Sequence, residues 1–487
     1  MYIRYILYKK VLHMGGGLLQ LIAVGQFDQL LSINPEISFY QYVYKRHSQF
    51  AMEPIQLTFT NNPVLSPTAV NNSYLCKVLR YADLLGQLHF CFTLPDIYSS
   101  NKYQFRWIKN VGTLFVKKAT IYINGNVIID ETTGEWMNIW NELTQCTEDT
   151  DDRLIGNTPE MQAPRLSVPR IAIRNNKFIY YYYPESSVHE NKQPSISSRR
   201  IIVPLNFWFT KNPALALPLL RLQFNEIFIR IETESSESLY QVWSPDLNRY
   251  ISPAYYNALY NENININTFT KNISLEPYIE ANYIFLGEEE RNTLFMKAKL
   301  TYLVEQLTIA SAQSISSTST ASYNMKLMID KPTKEIIWTL RRDDYLNFNE
   351  FNNYTADIPE SSRGILDKAV IKFTNNDRVS EKNAEFFNLI QPYQHHSRVP
   401  KQGIYCYSFA IHPEKEILTG YYNAALVETN LLVYLKNGYD NELINRELIK
   451  INKQPYTYNF LINVYMLHYN MFEIVGAQAG MKFTIAK

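Results

Sequence analysis

The chain has 487 residues, with 47 basic against 46 acidic side chains and a net charge of +1. This length exceeds the roughly 250–300 residues at which a single core stops growing, so at least two domains are expected. The balanced charge and the lack of a long basic run argue against direct nucleic-acid binding. No apolar run reaches the roughly 18–20 residues that span a bilayer. The 37 tyrosines and 25 phenylalanines favour strands over helices.

The N-terminal segment 1–13, MYIRYILYKKVLH, is basic and apolar. Two interpretations stay open: an unused or disordered extension, or a segment that lies on a membrane surface. The first is favoured because thirteen residues form only a marginal helix in water.

Alternating or short apolar runs predict strands along nearly the whole remaining chain. In the first half they lie at 55–59, 86–94, 114–123, 200–209, 217–232 and 279–286. In the second half they lie at 302–309, 334–340, 368–373, 404–411, 424–435 and 460–469. Short strands separated by Asn, Asp, Pro and Ser clusters are typical of antiparallel sandwiches.

Helices are predicted at only two places. Residues 134–144 place four apolar side chains at helical spacing, namely Trp136, Ile139, Trp140 and Leu143. Residues 287–297 begin with acidic side chains, which suits the start of a connecting helix.

Two segments of the first half lack sustained periodicity. Residues 146–199 and 234–275 are rich in Asn, Pro, Ser and Tyr. Long loops on a rigid sandwich usually decorate one of its faces. We therefore expect both segments at one end of the first domain.

An internal duplication relates the two halves. Residues 119–140 and 369–390 align without a gap at an offset of 250, which pairs Ala119 with Ala369. This period is far longer than the roughly 20–50 residues of a solenoid repeat, so it predicts two similar domains in tandem, divided near residue 289. We expect Trp136 and its match Phe386 to occupy equivalent places, each anchoring a helix onto its own sandwich.

Patterns for catalysis and metal binding are weak. The four cysteines form no C-x-x-C pair, so neither a disulfide framework nor a zinc site is expected. His395 and His396 would point to opposite faces of a strand, which favours a loop or a domain-contact motif over a metal pair. No G-x-S-x-G or phosphate-loop pattern occurs. We predict no catalytic residue, cofactor or metal, and no enzyme activity.

Three N-x-S/T sequons lie at Asn71, Asn272 and Asn353. Because the cysteine pattern suits a reducing compartment, chance occurrence in an Asn-rich chain is favoured over glycosylation.

Several sequence blocks, in a fixed order, resemble the major capsid proteins of large nucleocytoplasmic DNA viruses of eukaryotes, such as phycodnaviruses and mimivirus-like viruses. The block MGGGLLQLIAVGQFDQLLSINPEISFYQYVYKRHSQFA at 14–51 is similar to the start of that family. GEWMNIWNELT at 134–144, VPLNFWFTKNPALALPLLRLQFNEI at 203–227 and FFNLIQPYQHH at 386–396 are similar to later family blocks. The resemblance covers nearly the whole chain from Met14.

The resemblance implies an all-β fold, a tandem double jelly roll of two eight-stranded antiparallel sandwiches with short helices. Residues 1–40 would form an arm on the inner capsid face, 41–288 the first jelly roll with long outer loops, and 289–487 the second. Candidate assembly residues in the matched blocks are Trp136, Trp140, Asn212, Pro213, Pro218, Phe386 and Phe387.

The resemblance also implies the function and the partners. Three chains would form a homotrimeric, pseudo-hexagonal capsomer that tiles an icosahedral shell. Partners would be neighbouring capsomers and minor capsid proteins beneath the shell, with at most indirect contact to an inner membrane and no direct nucleic-acid binding. The protein would reside in the virion after assembly in the host cytoplasm.

Two alternatives remain at this point. One is a minor capsid paralogue of the same fold. The other is a jelly-roll carbohydrate-binding or lectin-like module, since one fold hosts many functions. The tandem copies favour a shell protein.

Overall fold

The structure is a computed structural model. It describes residues 16–61, 72–100, 102–125, 127–144, 148–162, 170–174, 177–181, 193–270, 274–316, 322–436, 458–476 and 478–483. The predictions for residues 1–13 and for the sequons at Asn71 and Asn272 lie outside these residues.

The chain separates into two compact units, residues 1–49 and residues 50–487. In the first unit, two short helices are described, α1 (Gly16–Ile22) and α2 (Gln26–Ser32). Large apolar side chains of this unit are exposed, among them Leu21, Phe39 and Tyr42.

The second unit is built mainly from strands. Strands of the first half are β1 (Phe50–Thr58), β2 (Asn72–Val78), β3 (Leu84–Leu94), β4 (Phe105–Trp107), β5 (Val116–Ile123), β6 (Val127–Thr132), β7 (Arg170–Arg174), β8 (Lys177–Tyr181), β9 (Arg199–Pro204), β10 (Ile227–Thr233), β11 (Tyr240–Ser244), β12 (Arg249–Ile251) and β13 (Tyr278–Leu286). Strands of the second half are β14 (Lys299–Ser316), β15 (Tyr323–Leu327), β16 (Pro332–Arg342), β17 (Leu366–Phe373), β18 (Asn376–Asn383), β19 (Ile404–Ser408), β20 (Tyr422–Asn423), β21 (Thr429–Leu435), β22 (Asn459–Val475) and β23 (Gln478–Met481).

The helices of this unit are short. They are α3 (Val111–Phe115), α4 (Gly134–Thr144), α5 (Glu148–Ile155), α6 (Pro159–Gln162), α7 (Trp208–Lys211), α8 (Pro253–Tyr260), α9 (Glu288–Met296) and α10 (Gln391–His395). A π-helical turn, Phe386–Ile390, runs directly into α10, and 3-10 turns occur at Pro213–Leu215, Leu219–Leu222, Ser236–Ser238, Ile266–Thr268 and Asp343–Asn347. No helix among the described residues has the length and apolar character needed to cross a bilayer.

The two halves repeat one sheet topology. The first half forms four-stranded sheets in the orders β1-β13-β3-β9 and β2-β10-β5-β6. The second half repeats these orders as β14-β22-β16-β19 and β15-β21-β17-β18, and all these pairings are antiparallel. Each half is therefore an eight-stranded sandwich, as a double jelly roll requires.

The duplicated hairpins show where the gap-free alignment holds. Ala119 pairs with Thr132 in the first hairpin, and Ala369 pairs with Lys382 at the matching place in the second. At the tip, Ile123 pairs with Val127, whereas Phe373 pairs with Asn376, so the second turn is one residue shorter. An additional register shift in the second hairpin absorbs this difference.

Two sequence predictions need correction. Residues 200–209 and 217–232 are strands only in part, because α7 ends the first and the 3-10 turn Leu219–Leu222 interrupts the second. A further 3-10 turn, Pro213–Leu215, lies between them. Residues 234–275 are not an irregular loop. They contain β11, β12 and α8, and β11 also pairs with β4 in a three-stranded sheet.

The interior consists of two large apolar clusters. The first-half cluster also takes in Leu300, Val304, Phe472 and Ile474 from the long strands β14 and β22. The second-half cluster is centred on residues such as Trp338, Phe387 and Ile462. The β14–β22 ribbon thus contributes to the cores of both sandwiches.

Candidate functional site at the junction of the sandwiches

Helix α4 begins where the backbone is most crowded. A Cβ atom at Gly134 would collide with the carbonyl oxygens of Thr113 and Val116, so only glycine fits there. This close approach fixes the helix against the end of β5. The boundaries Gly134–Thr144 agree with the sequence prediction.

The outer side of α4 packs onto the second sandwich. Trp136 is 5% exposed, and its ring stacks on Tyr465 with centroids 5.5 Å apart. Ile139 and Leu143 are fully buried in the same cluster. The second sandwich contributes Ile337, Tyr354, Ile404, Cys406, Tyr465 and Leu467. The predicted assembly residues Trp136 and Trp140 therefore lie at the junction of the two sandwiches.

The expectation that Trp136 anchors α4 onto its own sandwich was wrong. Met137 has that role, because it is buried in the first-half core. At an offset of 250, its match Phe387 is buried in the second-half core, with its ring 5.1 Å from Trp338. Phe386, the match of Trp136, is only partly buried and packs against its own core. Adjacent residues of a helix project to different sides, so Trp136 and Met137 meet different sandwiches. The alignment alone does not reveal which side of the helix meets which sandwich.

Charged groups at the junction are paired. Arg341 Nη1 lies 3.2 Å from Glu135 Oε1, and Asn463 Nδ2 donates to the same oxygen at 3.3 Å. Lys211 Nζ lies 3.4 Å from Glu305 Oε2, and the fully buried Lys334 pairs with the other oxygen of Glu305. These contacts join the sandwiches by ion pairs as well as apolar packing.

The segment 207–222 forms a second seam of the junction. The Trp208 ring lies 5.4 Å from Phe472 of the second sandwich. Asn212 accepts a hydrogen bond from the backbone N–H of Ala214 at 2.9 Å and so caps the 3-10 turn that begins with Pro213. Pro213 is exposed, whereas Pro218 is buried before the next turn.

The helix segment 386–395 exposes apolar side chains at positions whose counterparts in α4 lie in the junction. Leu389, Ile390 and Tyr393 are 47%, 46% and 82% exposed. Their matches at an offset of 250 are Ile139, Trp140 and Leu143, which lie in the junction. Within the part of the chain that the structure describes, the helix segment 386–395 thus leaves an apolar side uncovered. Ile411, whose carbonyl contacts His395, is exposed as well.

The sheets of the two sandwiches also differ in how deeply their outer sides are buried. Strand β16 is buried at every position except Pro332, because its outer side lies under α4. Its counterpart β3 alternates, with Gln87 exposed and His89 and Thr93 half-buried. Among the described residues, the outer side of β3 in the first sandwich is therefore less covered than that of β16 in the second.

A buried polar cluster beside α4 was missed from the sequence. Glu335 on β16, Cys406 on β19 and His396 after α10 lie together, and His396 Nε2 is 2.6 Å from Glu335 Oε1. His395 and His396 lie at a helix end and not in a strand. His395 is half-buried and contacts the carbonyl of Ile411. Long separations along the chain hide such a cluster from motif searches.

This cluster does not have the properties of a cysteine nucleophile. Burial raises the pKa of the Cys406 thiol to about 11, and the side chain is fully buried. Burial alone would lower the pKa of His396, but the Glu335 carboxylate and hydrogen bonds to Cys406 and Glu414 raise it to about 12. A protonated imidazole cannot act as a general base.

The sequon at Asn353 lies within the fold. The side chain is 7% exposed, and its amide donates to Glu350 and to the carbonyl of Asp357 at 2.9 and 2.8 Å. Its carbonyl oxygen also accepts from Thr355. A glycan would have to replace these contacts, which favours a structural role for this Asn.

Sequence profiles of known families match both halves. The family described as "Major capsid protein N-terminus" matches residues 38–287. The family described as "Large eukaryotic DNA virus major capsid protein" matches residues 290–480. The chain belongs to this capsid protein family. Its role is structural, and the shared sheet order of its two halves is the framework for that role.

Similar curated proteins come from viruses of algae and amoebae. The capsid protein is 26% identical to the major capsid protein of Phaeocystis pouchetii virus, over 97% of this chain and 100% of that protein. It is 26% identical to the major capsid protein of Pyramimonas orientalis virus, with the same coverage. It is 29% identical to capsid protein 1 of Acanthamoeba polyphaga mimivirus, over 72% of this chain and 52% of that protein.

Solved structures share the fold. The capsid protein matches a chain of the PBCV-1 virus capsid with a TM-score of 0.64 and 22% identity, covering 92% of this chain and 100% of that chain. It matches the Faustovirus major capsid protein with a TM-score of 0.64 and 12% identity, covering 92% and 94%. These matches support the double jelly roll that the sequence predicted.

Proposed function

We propose that the protein assembles as a homotrimer whose six sandwiches form a pseudo-hexagonal capsomer of an icosahedral shell. The observation that carries this proposal is the unequal burial of duplicated surfaces. Within one chain, α4 of the first sandwich covers the outer side of β16 in the second. Among the residues that the structure describes, no comparable element covers the matching helix segment 386–395 or the matching outer side of β3.

A second copy can cover both open surfaces at once. The helix segment 386–395 of one copy would dock on the outer side of β3 and β13 of the next, repeating the contact made within the chain. Such a head-to-tail contact must close into a ring, because an unclosed one gives fibres. If intrachain and interchain junctions alternate at equal angles, three copies complete a ring of six sandwiches.

The chemistry of the two surfaces suits this contact. Leu389, Ile390 and Tyr393 supply the apolar contribution. The outer side of the first sandwich carries half-buried Ile202 and Tyr278 among polar side chains, and Arg200 lies over the Tyr278 ring at 4.6 Å. A mixture of aromatic, aliphatic and arginine groups is common where protein surfaces associate.

The trimer is tested at Tyr393. Tyr393→Glu would place a charge in the proposed contact, and desolvating an unpaired charge costs several kcal/mol. We expect wild-type protein to elute as a trimer by light scattering and the variant mainly as a monomer with unchanged circular dichroism. Leu426→Glu is the matched control, since Leu426 is equally exposed, at 81%, but lies outside this surface. Trimers in the Tyr393 variant would contradict the proposed contact.

The remaining assignments complete the proposed capsomer. Residues 41–288 and 289–487 serve as the first and second jelly rolls, with the segments within 146–199 and 234–275 on the outer face. Residues 1–40 lie on the inner face, where the exposed apolar side chains of α1 suit contacts with minor capsid proteins. Assembly takes place in the host cytoplasm, and membrane contact is indirect.

Two experiments separate the alternatives. Electron microscopy of the purified protein should show trimers and sheets, whereas a carbohydrate-binding module would give discrete monomers or dimers. Quantitative mass spectrometry of purified virions decides between a principal and a minor capsid subunit. A principal subunit should be the most abundant protein of the shell, and a low copy number would assign the chain to the minor class.

A further inference from the structure

The buried cluster at the junction combines three kinds of ligand atom. Among the described residues, Glu335, His396 and Cys406 form one group in which a carboxylate oxygen, an imidazole nitrogen and the sulfur all lie within 4.8 Å of one another. Cys406 pairs with Ile337 across β16 and β19, so it is a diagonal neighbour of Glu335 on one side of the sheet. All three residues are buried.

One oxygen of the cluster is poorly satisfied. The Glu335 side chain is fully buried, and its Oε1 contacts His396, whereas its Oε2 makes no hydrogen bond of ordinary geometry. The carboxylate also interacts with the Cys406 thiol, which is only a weak donor. Because a buried charged oxygen without a strong partner is destabilising, a bound cation would satisfy Oε2 better than the thiol does.

The second ring nitrogen of His396 contacts a carboxylate, as is usual for histidines that bind a metal. His396 Nδ1 lies 3.2 Å from Glu414 Oε1, and the same oxygen accepts from the Ser397 backbone N–H at 2.6 Å. Histidines that bind a metal through one nitrogen usually donate the other N–H to a carboxylate, which fixes the ring. Here that arrangement leaves Nε2 facing Glu335.

Metal binding would replace protons in the cluster. A divalent ion would take the place of the proton on Cys406 Sγ and of any proton on His396 Nε2, and these protons would pass to solvent. The Glu335 carboxylate and the Cys406 thiolate would then bring two negative charges to the ion, and His396 a neutral imidazole nitrogen.

We propose that Glu335, His396 and Cys406 bind one divalent transition-metal ion, with Zn²⁺ the best match to this ligand set. Zn²⁺ accepts sulfur, nitrogen and oxygen ligands at about 2.0–2.3 Å. Tetrahedral geometry needs the His396 and Glu335 ligand atoms roughly 3.3 Å apart, and in the structure these atoms are 2.6 Å apart. His396 follows the last residue of a short helix, so a small shift of the ring can open the site.

The ion would lie under the junction helix. The Trp140 ring of α4 meets the His396 ring edge to face, with centroids 6.1 Å apart. A metal that fixes His396 therefore also fixes the surface on which α4 packs. The proposed role is to stiffen the contact between the two sandwiches, and its test does not depend on the trimer contact at Tyr393.

Cobalt provides a direct probe of the site. Tag-free full-length protein, purified under reducing conditions and freed of metal with a chelator, is titrated with Co²⁺ and separately with Zn²⁺. We expect one Co²⁺ per chain with a thiolate-to-cobalt charge-transfer band, and a higher unfolding temperature with Zn²⁺. Cys406→Ser should abolish the band, and Glu335→Gln should weaken binding at least tenfold. Cys76→Ser is the control, because Cys76 is a buried cysteine outside the cluster.

Several outcomes would overturn the proposal. Folded wild-type protein that takes up no Co²⁺ or Zn²⁺ would show that the cluster holds protons only. A charge-transfer band that survives Cys406→Ser, or that Cys76→Ser removes equally, would place the metal elsewhere. If Cys406→Ser fails to fold, Glu335→Gln serves instead, and unchanged Co²⁺ affinity in that variant refutes the site.

Discussion

At the scale of single residues, burial determines how Asp130 titrates. Its carboxylate accepts backbone hydrogen bonds from Trp208 at 2.8 Å and from Glu131 at 3.0 Å. Both bonds favour the ionised form, but burial outweighs them and raises the pKa to about 7 from the ordinary 3.8. The folded protein therefore holds a proton on Asp130 at a pH where the unfolded chain has lost it.

Asp130 predicts a pH dependence of stability. Because its folded pKa is raised, its stabilising contribution is complete below about pH 4 and is lost as the pH rises through about 7. The difference between the two pKa values corresponds to on the order of 4 kcal/mol. The unfolding temperature of wild type should fall between about pH 4 and pH 7 relative to that of Asp130→Asn, and the difference should stay constant above that range. Parallel curves of unfolding temperature against pH for the two proteins would refute this prediction. Asp377→Asn, which removes an exposed carboxylate, is the control.

Single residues also show which contacts the sequence alone could and could not predict. Spacing in 134–144 was enough to find the apolar side of α4, because neighbours on a helix are neighbours in sequence. Glu335, His396 and Cys406 lie on separate elements and meet only after the sheet has formed. Their contact depends on strand order and register, which no local pattern encodes.

At the scale of elements, helix α4 was predicted with its correct ends, whereas 200–209 and 217–232 were each predicted as a continuous strand. The apolar run there is as dense as in a strand, but Pro213 and Pro218 remove N–H donors and restrict the backbone. The chain consequently turns through α7 and two 3-10 turns and packs Trp208 against the second sandwich. An apolar composition indicates burial both for a regular strand and for this interrupted segment. Only the positions of the prolines distinguish the two conformations.

The two predicted loop segments should respond differently to deletion. Strands β7 and β8 pair only with each other among the described strands. Residues 234–275 supply Tyr240, Val242 and Phe269 to the first-half core. Replacing residues 170–181 by a short Gly-Ser linker should leave the yield and the oligomeric mass unchanged, because loop tips tolerate change.

Replacing residues 240–260 by the same linker should give insoluble protein, because it removes buried aromatic side chains. Truncating even one such side chain costs about 3–5 kcal/mol. Soluble yield and light scattering read out both deletions. Soluble, trimeric protein from the second deletion would show that this segment is an accessory loop after all.

At the scale of the whole molecule, the duplication gave the correct architecture but not the degree of separation. Similar sequences at an offset of 250 predicted two sandwiches, and the sheet orders agree. The same repeat predicted two similar domains in tandem, divided near residue 289. In the structure, the first-half core incorporates Leu300, Val304, Phe472 and Ile474, all from beyond the boundary at residue 289.

This shared core leads to a prediction about cooperativity. Residues 41–288 expressed alone would lose part of their core and expose Trp136, while residues 289–487 alone would expose Ile337 and Tyr465. Each fragment should therefore be insoluble or lack fixed tertiary packing, and co-expression should restore a soluble complex. Far- and near-ultraviolet circular dichroism of the fragments provides the measurement.

Calorimetry of the intact protein tests whether the two sandwiches unfold together. Because the β14–β22 ribbon belongs to both cores, neither sandwich can unfold without exposing apolar surface of the other. We expect a single unfolding transition, and Trp136→Ala should lower its midpoint without splitting it. The control Phe224→Ala changes an aromatic side chain that is 82% exposed and should leave the midpoint unchanged. Two separate transitions in wild type would mean that the junction is too weak to couple the sandwiches, and that the duplication had preserved two autonomous domains.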